Sequence, residues 1–126
     1  MTDTMTTITV TIPAAIDRRL GLNGRVHWGM KAKLAKDLRE TAYTAMLATP
    51  RHTLPPAPLV LDYEIGLKRA QKRMDDDNAI GALKAMRDGI AEYAGIDDKY
   101  IRSGELTWVR DPRGFGFITV TIRGVE

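Results

Sequence analysis

Cysteine is absent from the 126 residues, and His27 and His52 are the two histidines. The lack of cysteine excludes a disulfide framework, a thiol nucleophile and zinc sites built on thiolates. No apolar run approaches the roughly 20 residues that a transmembrane helix needs. The first residues, MTDTMTTITV, lack the basic segment and apolar block of a secretory signal. We therefore expect a protein of the host cytoplasm with no membrane partner, and any bound metal on oxygen or imidazole ligands.

Acidic and basic residues are nearly balanced, with 19 Lys and Arg against 16 Asp and Glu and a formal net charge of +3. An ordinary solvated surface accounts for so small an excess. The distribution is more informative, because basic residues concentrate in two groups: Arg18, Arg19, Arg25, Lys31 and Lys33, then Lys68, Arg69, Lys72 and Arg73. The second group directly precedes three aspartates. Positive flanks around an acidic centre suit a polyanion that is drawn to bound cations.

Hydrophobic periodicity predicts the order strand, helix, strand, helix, strand, strand. The predicted strands cover about residues 6–12, 59–68, 100–109 and 114–124, and the predicted helices cover about residues 30–47 and 77–94. Gly95 is suited to end the second helix in a left-handed conformation. The last two strands, joined by RDPR, are expected to form an antiparallel pair. Together these elements predict one domain, residues 1–126, of the α/β or α+β class, with a small mixed β-sheet and two helices on one side.

The long connection over residues 14–30 contains two glycines within LGLNGR and no clear period. Irregular loops of this length are uncommon inside compact domains and are often functional. We therefore expect this loop to take part in the activity.

The stretch KRMDDDNAIGALK carries three consecutive aspartates in front of a helix-like run. If the chain stays extended up to the helix, Asp75 and Asp77 point to one side and Asp76 to the other. Asp97 and Asp98 form a second acidic pair after the second helix. Carboxylates about 5 Å apart repel by roughly 3 kcal/mol per pair at an effective dielectric near 20, and a bound divalent cation reverses this cost. Mg²⁺ fits such hard oxygen ligands better than zinc does.

A purely structural interpretation of the aspartates stays open, because an aspartate in front of a helix caps free backbone amides. A calcium-binding loop is excluded. Counted from Asp75, Ile80 and Met86 stand where that loop needs its glycine and its glutamate.

Lys84 follows Asp77 by seven residues, close to two helical turns, so the two side chains share a stripe about 10 Å apart along the axis. Gly81 lies between them and would leave a bare patch where a phosphate backbone can approach. Two alternatives stay open. Gly81 serves as a helix packing contact, and Lys84 forms a solvated pair with Asp88 at four residues' spacing.

The segments KRMDDDN and LKAMRDGIAEYAGIDD resemble the RusA-type endodeoxyribonucleases, small Holliday-junction resolvases common in phages and prophages. The resemblance is specific over Lys72 to Ile101 and weaker over LNGRVHWGMKAKLAKDLRE. It implies a homodimeric endonuclease that depends on Mg²⁺, with Mn²⁺ as a possible substitute. The implied substrate is a Holliday junction or other branched DNA in recombination and repair.

Carried over by position, the resemblance makes Asp75, Asp77 and Asp98 the metal-binding catalytic carboxylates, with Asp97 as their acidic neighbour at the metal. Lys84 corresponds to the catalytic lysine, one turn farther from the aspartates than in the prototype, where Gly81 stands here. The expected DNA-binding residues are Arg69, Lys72, Arg73, Arg25, His27, Lys31 and Lys33. A catalytically degenerate nucleic-acid-binding module is the alternative function, and an interaction domain whose aspartates only cap the helix is a third.

Overall fold

The computed structural model describes residues 7–125, which form one four-stranded sheet and three α-helices. The elements are β1 (Thr7–Ile12), α1 (Trp28–Met46), β2 (Leu59–Leu67), α2 (Asp76–Ala82), α3 (Lys84–Ala94), β3 (Ile101–Arg110) and β4 (Phe117–Gly124). The predicted mixed α/β class is confirmed. Thr6, the first residue of the first predicted strand, lies outside the described residues.

The sheet has the strand order β1-β4-β2-β3. β4 is antiparallel to both of its neighbours, whereas β2 and β3 are parallel, with Leu59 opposite Ile101 and Leu67 opposite Arg110. The expected antiparallel pair of the last two strands is therefore wrong, because β2 lies between them. β2 is buried along almost its whole length, which suits a central position in the sheet. In β3, half-buried residues are interspersed with exposed ones, which suits an edge strand.

The helices cover one face of the sheet, as expected from the strand patterns. Ile12, Ile65 and Ile118 from the strands are fully buried with Met86 and Ile90 from α3. The other face is polar: the hydroxyls of Thr11 and Thr119 are 3.1 Å apart, and Arg123 Nε donates to Asp62 Oδ2 at 2.8 Å. Alternation of β-branched and polar residues in the strands produces these two faces.

The second predicted helix is present but divided at Leu83. This residue has φ −92° and ψ −1°, and such a ψ departs from the roughly −42° of an α-helix. α2 therefore ends at Ala82, and α3 begins at Lys84. The expectation that Asp77 and Lys84 lie on one face of a single helix is therefore wrong, because Asp77 belongs to α2 and Lys84 to α3. α3 ends as predicted, with Gly95 at φ 73° in the left-handed region.

None of the helices within residues 7–125 combines the length and the apolar character that crossing a membrane would require.

Candidate functional site

The three consecutive aspartates lie at the start of α2. Asp75 is the N-cap residue and has an extended backbone, but its carboxylate makes no capping hydrogen bond. Asp76 and Asp77 are already helical, so successive side chains turn by about 100° instead of alternating. The expected placement of Asp75 and Asp77 on one side by strand alternation is therefore wrong. The capping interpretation of Asp75 is not realised either, since its carboxylate leaves the helix amides free.

All three aspartate side chains are exposed to solvent. Asp76 Oδ1 lies 4.0 Å from Arg73 Nη2, a loose ion pair. Within residues 7–125, no ion pair involves the carboxylate of Asp75 or Asp77. Two hard oxygen donors are thus presented to solvent without a compensating cation.

Lys84 lies between two carboxylates that come from different parts of the chain. Its Nζ is 3.1 Å from Asp88 Oδ2, one helical turn along α3, and 3.7 Å from Asp98 Oδ2. Asp98 begins the short 3-10 helix Asp98–Tyr100 that follows α3. The structure therefore brings together Lys84 and Asp98, two residues of the predicted site. It also contains the Lys84 and Asp88 pair that was the alternative explanation for this lysine.

Asp97 has a local structural role. Its Oδ1 accepts a hydrogen bond from the backbone nitrogen of Lys99 at 3.0 Å and caps the short helix that begins at Asp98. This carboxylate oxygen is therefore engaged by the backbone, which explains Asp97 without a metal.

Within residues 7–125, no three Asp, Glu or His side chains lie close enough together to hold one metal ion. The expected convergence of Asp75, Asp77 and Asp98 is therefore not found in the single chain. Asp77 turns with the first helical turn of α2, and Asp98 is held beside Lys84. Mg²⁺ usually needs only one or two protein carboxylates, with water and substrate phosphate completing its shell. The exposed oxygens of Asp75 and Asp77 satisfy that smaller requirement by their chemistry.

Asn78, the residue after the three aspartates, fastens the loop that precedes α1 to α2. It is 4% exposed, and its Oδ1 accepts a hydrogen bond from the backbone nitrogen of Asn23 at 3.0 Å. Gly21 passes so close that an added Cβ would overlap the Asn78 amide. Sequence reasoning treated this asparagine only as a letter of the DDDN motif. The sequence did contain one signal. Asn78 is an uncharged polar residue that directly follows three aspartates and precedes an apolar run, so its side chain could face the interior while theirs face solvent.

Gly81 is a packing contact, as one of its two interpretations held. A Cβ atom added at Gly81 would lie 3.0 Å from Leu22 Cγ and 3.2 Å from the Leu22 backbone nitrogen. Leu22, on the loop that Asn78 anchors, therefore occupies part of the proposed bare patch. A lysine at this position, as in the prototype resolvase, would have to displace Leu22.

A cleft of about 190 Å³ separates α1 from α2 and α3, with Gly81, Lys31, Lys84 and Asp88 among its lining residues. Lys31 is half-buried, and its Nζ lies 3.4 Å from the carbonyl oxygen of Gly21. The cleft thus places one of the expected DNA-binding lysines at the same opening as the expected catalytic lysine. Asp88 and Asp98 offset the charge of Lys84 in the free protein, so Lys31 is the lysine at this opening that forms no ion pair within residues 7–125.

The remaining expected DNA-binding residues of the first group surround the start of α1. His27 caps this helix, because its Nδ1 accepts a hydrogen bond from the backbone nitrogen of Gly29 at 3.1 Å. Lys33 Nζ pairs with Asp37 at 2.8 Å, whereas Arg25 is exposed. Trp28 is 78% exposed, with its ring 5.4 Å from that of His27. Sequence reasoning missed this tryptophan, although an aromatic residue among basic ones was a visible signal.

The second basic group follows β2. Arg73 Cζ lies 5.6 Å from the centre of the Trp108 ring, so a cation–π contact orients it beside the aspartates. Lys72 is exposed. The backbone nitrogen of Arg69 donates to the carbonyl oxygen of Gly114 at 3.0 Å. This links the segment to the turn between β3 and β4.

No protein-family model matches the chain. The chain is 34% identical over 109 residues to a protein of Xylella fastidiosa (strain Temecula1) described as uncharacterized. The aligned region covers 84% of this chain and 70% of that protein. The chain belongs to the same family as the Xylella fastidiosa protein.

Proposed function

We propose that this protein is a magnesium-dependent, structure-selective DNA endonuclease of the RusA type. It would resolve Holliday junctions or other branched DNA during recombination and repair in the cytoplasm of a bacterial host, as a phage or prophage product. The resemblance of KRMDDDN and LKAMRDGIAEYAGIDD to that family motivates the proposal. The observation that supports it is the 3.7 Å contact between Lys84 and Asp98. Two residues singled out for their chemistry meet although α3 separates them in sequence.

Asp75 and Asp77 would supply the protein oxygens that hold Mg²⁺, or Mn²⁺ in its place, and water and substrate phosphate would complete its shell. Asp98, which lies beside Lys84, would be a neighbouring acidic group. When bound, the ion would polarise the scissile phosphate and lower the pKa of a coordinated water. Lys84 would donate hydrogen bonds to the phosphate oxygens, where negative charge develops during hydrolysis. Asp88 and Asp98 keep its ammonium at the mouth of the cleft until the substrate binds.

The basic residues would hold the DNA backbone without reading its sequence. They form the group Arg69, Lys72, Arg73, Arg25, His27, Lys31 and Lys33. Trp28, exposed beside His27, offers an aromatic surface on which an unstacked base can lie. A homodimer would present two such sites to the paired strands of a junction.

The metal ligands are tested by Asp75→Asn and Asp77→Asn, with Asp76→Asn as the matched control on the same helical turn. Cleavage of a labelled four-way junction should fall at least about 100-fold in the first two variants, the loss typical of removing one transition-state contact. Junction binding should persist, because the phosphate contacts remain. The control should cut within a fewfold of the wild-type rate. Wild-type cleavage by either test variant would show that the metal assignment is wrong.

The role of Lys84 is tested by Lys84→Ala against Lys36→Ala, an exposed lysine on α1. Cleavage should fall by about 100-fold in the first variant and stay unchanged in the second. The melting temperature should hardly move, because exposed ion pairs contribute at most about 1 kcal/mol. Unchanged cleavage by Lys84→Ala would remove this lysine from the reaction.

The alternative function is a nucleic-acid-binding module without catalysis. It is favoured by the lack of a three-carboxylate group within residues 7–125 and by Leu22 over Gly81. Incubating the wild-type protein and a junction with Mg²⁺ or Mn²⁺ separates the two functions. Binding without cleavage in either metal would support the module, and sedimentation would test the homodimer independently.

A further inference from the structure

The turn between β3 and β4 is held by a buried carboxylate. Asp111, 3% exposed, accepts hydrogen bonds from the backbone nitrogens of Arg113 at 3.0 Å and Gly116 at 2.9 Å. The Arg113 side chain also binds this carboxylate and holds the pKa of Asp111 at about 2. Gly114 and Gly116 take φ of 82° and 90°, which side chains rarely adopt.

The turn presents Phe115 to solvent. This ring is 74% exposed, and Arg113 Cζ lies 5.8 Å from its centre. The buried Asp111 carboxylate and the positive φ of Gly114 and Gly116 fix the turn that keeps the Phe115 ring in solvent. Such a fixed turn suits a recognition contact, because little conformational entropy is lost when it binds.

Beside this turn lies a groove of about 310 Å³, lined by residues 15–19 together with Lys68 and Gln71; we call it the basic groove. Gln71 Nε2 donates to the carbonyl oxygen of Ile16 at 2.8 Å and so fastens the two walls together. Arg19 pairs with Asp17 at 2.8 Å and contributes no net charge. Within the described part of the chain, Arg18 and Lys68 form no ion pair, so the groove keeps two uncompensated cations.

The turn and the basic groove form one surface. An added Cβ at Gly116 would lie 2.5 Å from Ala15 Cβ in the groove wall. Arg110 Nη1, at the end of β3, donates to the carbonyl oxygens of Lys68 at 2.8 Å and Gln71 at 2.7 Å. The segment that carries Lys68 continues directly to the aspartates at the start of α2. The surface is therefore connected by chain to the candidate site.

We propose that this surface binds a DNA arm next to the branch point. Arg18 and Lys68 contact phosphates, and Phe115 stacks on the face of a base pair that the open branch point leaves unstacked. The proposal rests on the proposed function for the identity of the ligand but does not require cleavage. A second copy of the chain is the less favourable occupant, since a symmetric contact would bring like charges together. A polyanion with exposed aromatic rings satisfies both features of the surface.

The phosphate contacts are tested with the double variant Arg18→Gln, Lys68→Gln. The control is Lys36→Gln, Arg39→Gln, two exposed cations on α1. Binding of a fluorescent four-way junction is measured by anisotropy between 50 and 200 mM salt in EDTA. Each lost phosphate contact lowers the slope of log K against log salt by about 0.9. The test variant should therefore lose a slope of about 1.8, whereas the control keeps the wild-type slope.

The stacking contact is tested with Phe115→Ala, Phe115→Tyr and the control Leu47→Ala, which is another exposed apolar side chain. Loss of one stacked base corresponds to about 5- to 150-fold weaker binding. Phe115→Ala should weaken junction binding by that factor, and the tyrosine variant should retain affinity. Duplex DNA without a branch should show a smaller effect, because its bases are already stacked.

The possible outcomes separate this inference from the proposed function. Loss of slope and affinity in the test variants supports the inference even if the wild-type protein does not cut DNA. Unchanged slope and affinity, in a protein that binds and cuts junctions, overturn the inference and leave the nuclease standing. A wild-type chain that binds no DNA overturns both. Unchanged DNA affinity with altered sedimentation of Phe115→Ala also overturns the inference, since the surface then joins two copies.

Discussion

Replacing Asn78 by alanine should loosen the loop that lies over α2. The change removes the acceptor of the 3.0 Å hydrogen bond from the Asn23 backbone nitrogen. It also removes the amide of a side chain that is buried, since Asn78 is 4% exposed. Losing such a bond and leaving its partner unsatisfied costs about 1–3 kcal/mol. An unfolding entropy of roughly 2.1 cal/mol/K per residue gives about 0.26 kcal/mol/K for a chain of this length. The melting temperature should therefore fall by about 4–11 °C.

The matched control is Asn23→Ala, which keeps the backbone donor and removes only an exposed side chain. Surface substitutions of this kind usually change stability by less than about 0.5 kcal/mol, so the melting temperature should move by less than about 2 °C. Calorimetry measures both variants. Hydrogen exchange should be faster at the Asn23 amide in Asn78→Ala. The anchoring role would be refuted if the melting temperature of Asn78→Ala fell by less than about 2 °C, or if that of the control fell by the same amount as that of Asn78→Ala.

Three further predictions concern stability. Asp111→Asn should make the free energy of unfolding less dependent on pH in the acid range. The folded pKa of Asp111 is about 2, below the ordinary 3.8. The wild-type carboxylate therefore stabilises the fold above pH 3.8, and this effect is lost as pH falls toward 2. An unchanged acid limb in urea titrations would contradict this. Gly81→Ala should not give the roughly 1 kcal/mol gain expected from helix propensity, because the new Cβ meets Leu22 at 3.0–3.2 Å; a full gain in thermal unfolding would show that the loop yields. Arg87→Met should leave the melting temperature unchanged or raise it, since among residues 7–125 the buried Arg87 Nε has no hydrogen-bond partner, which offsets the 3.2 Å bond from Nη1 to Ser103; a fall beyond about 4 °C would contradict this prediction.

The sequence alone determined the local elements. Period-two alternation located β1 and β2, and the segments on either side of RDPR located β3 and β4. Apolar residues at helical spacing located α1 and the region of α2 and α3. The left-handed stop at Gly95 followed from its missing Cβ. These predictions succeed because periodicity records which side of an element is buried, and that record is local.

Only the tertiary structure decided which elements meet. Periodicity marks a buried face but not its partner, so β4 was expected beside β3 although the nearly fully buried β2 takes the centre. The start of α2 at Asp76 changed the directions of the aspartates, and the division at Leu83 broke the stripe expected from Asp77 to Lys84.

The candidate site shows the same limit. The sequence could single out Lys84 and Asp98 by their chemistry, but their 3.7 Å contact depends on how the chain returns after α3. The partners of Asn78 and Leu22 could not be read from the sequence, because they lie far away along the chain. Contacts of this kind are chosen by packing of the whole chain, where burial of apolar faces and satisfaction of buried polar groups must be achieved together.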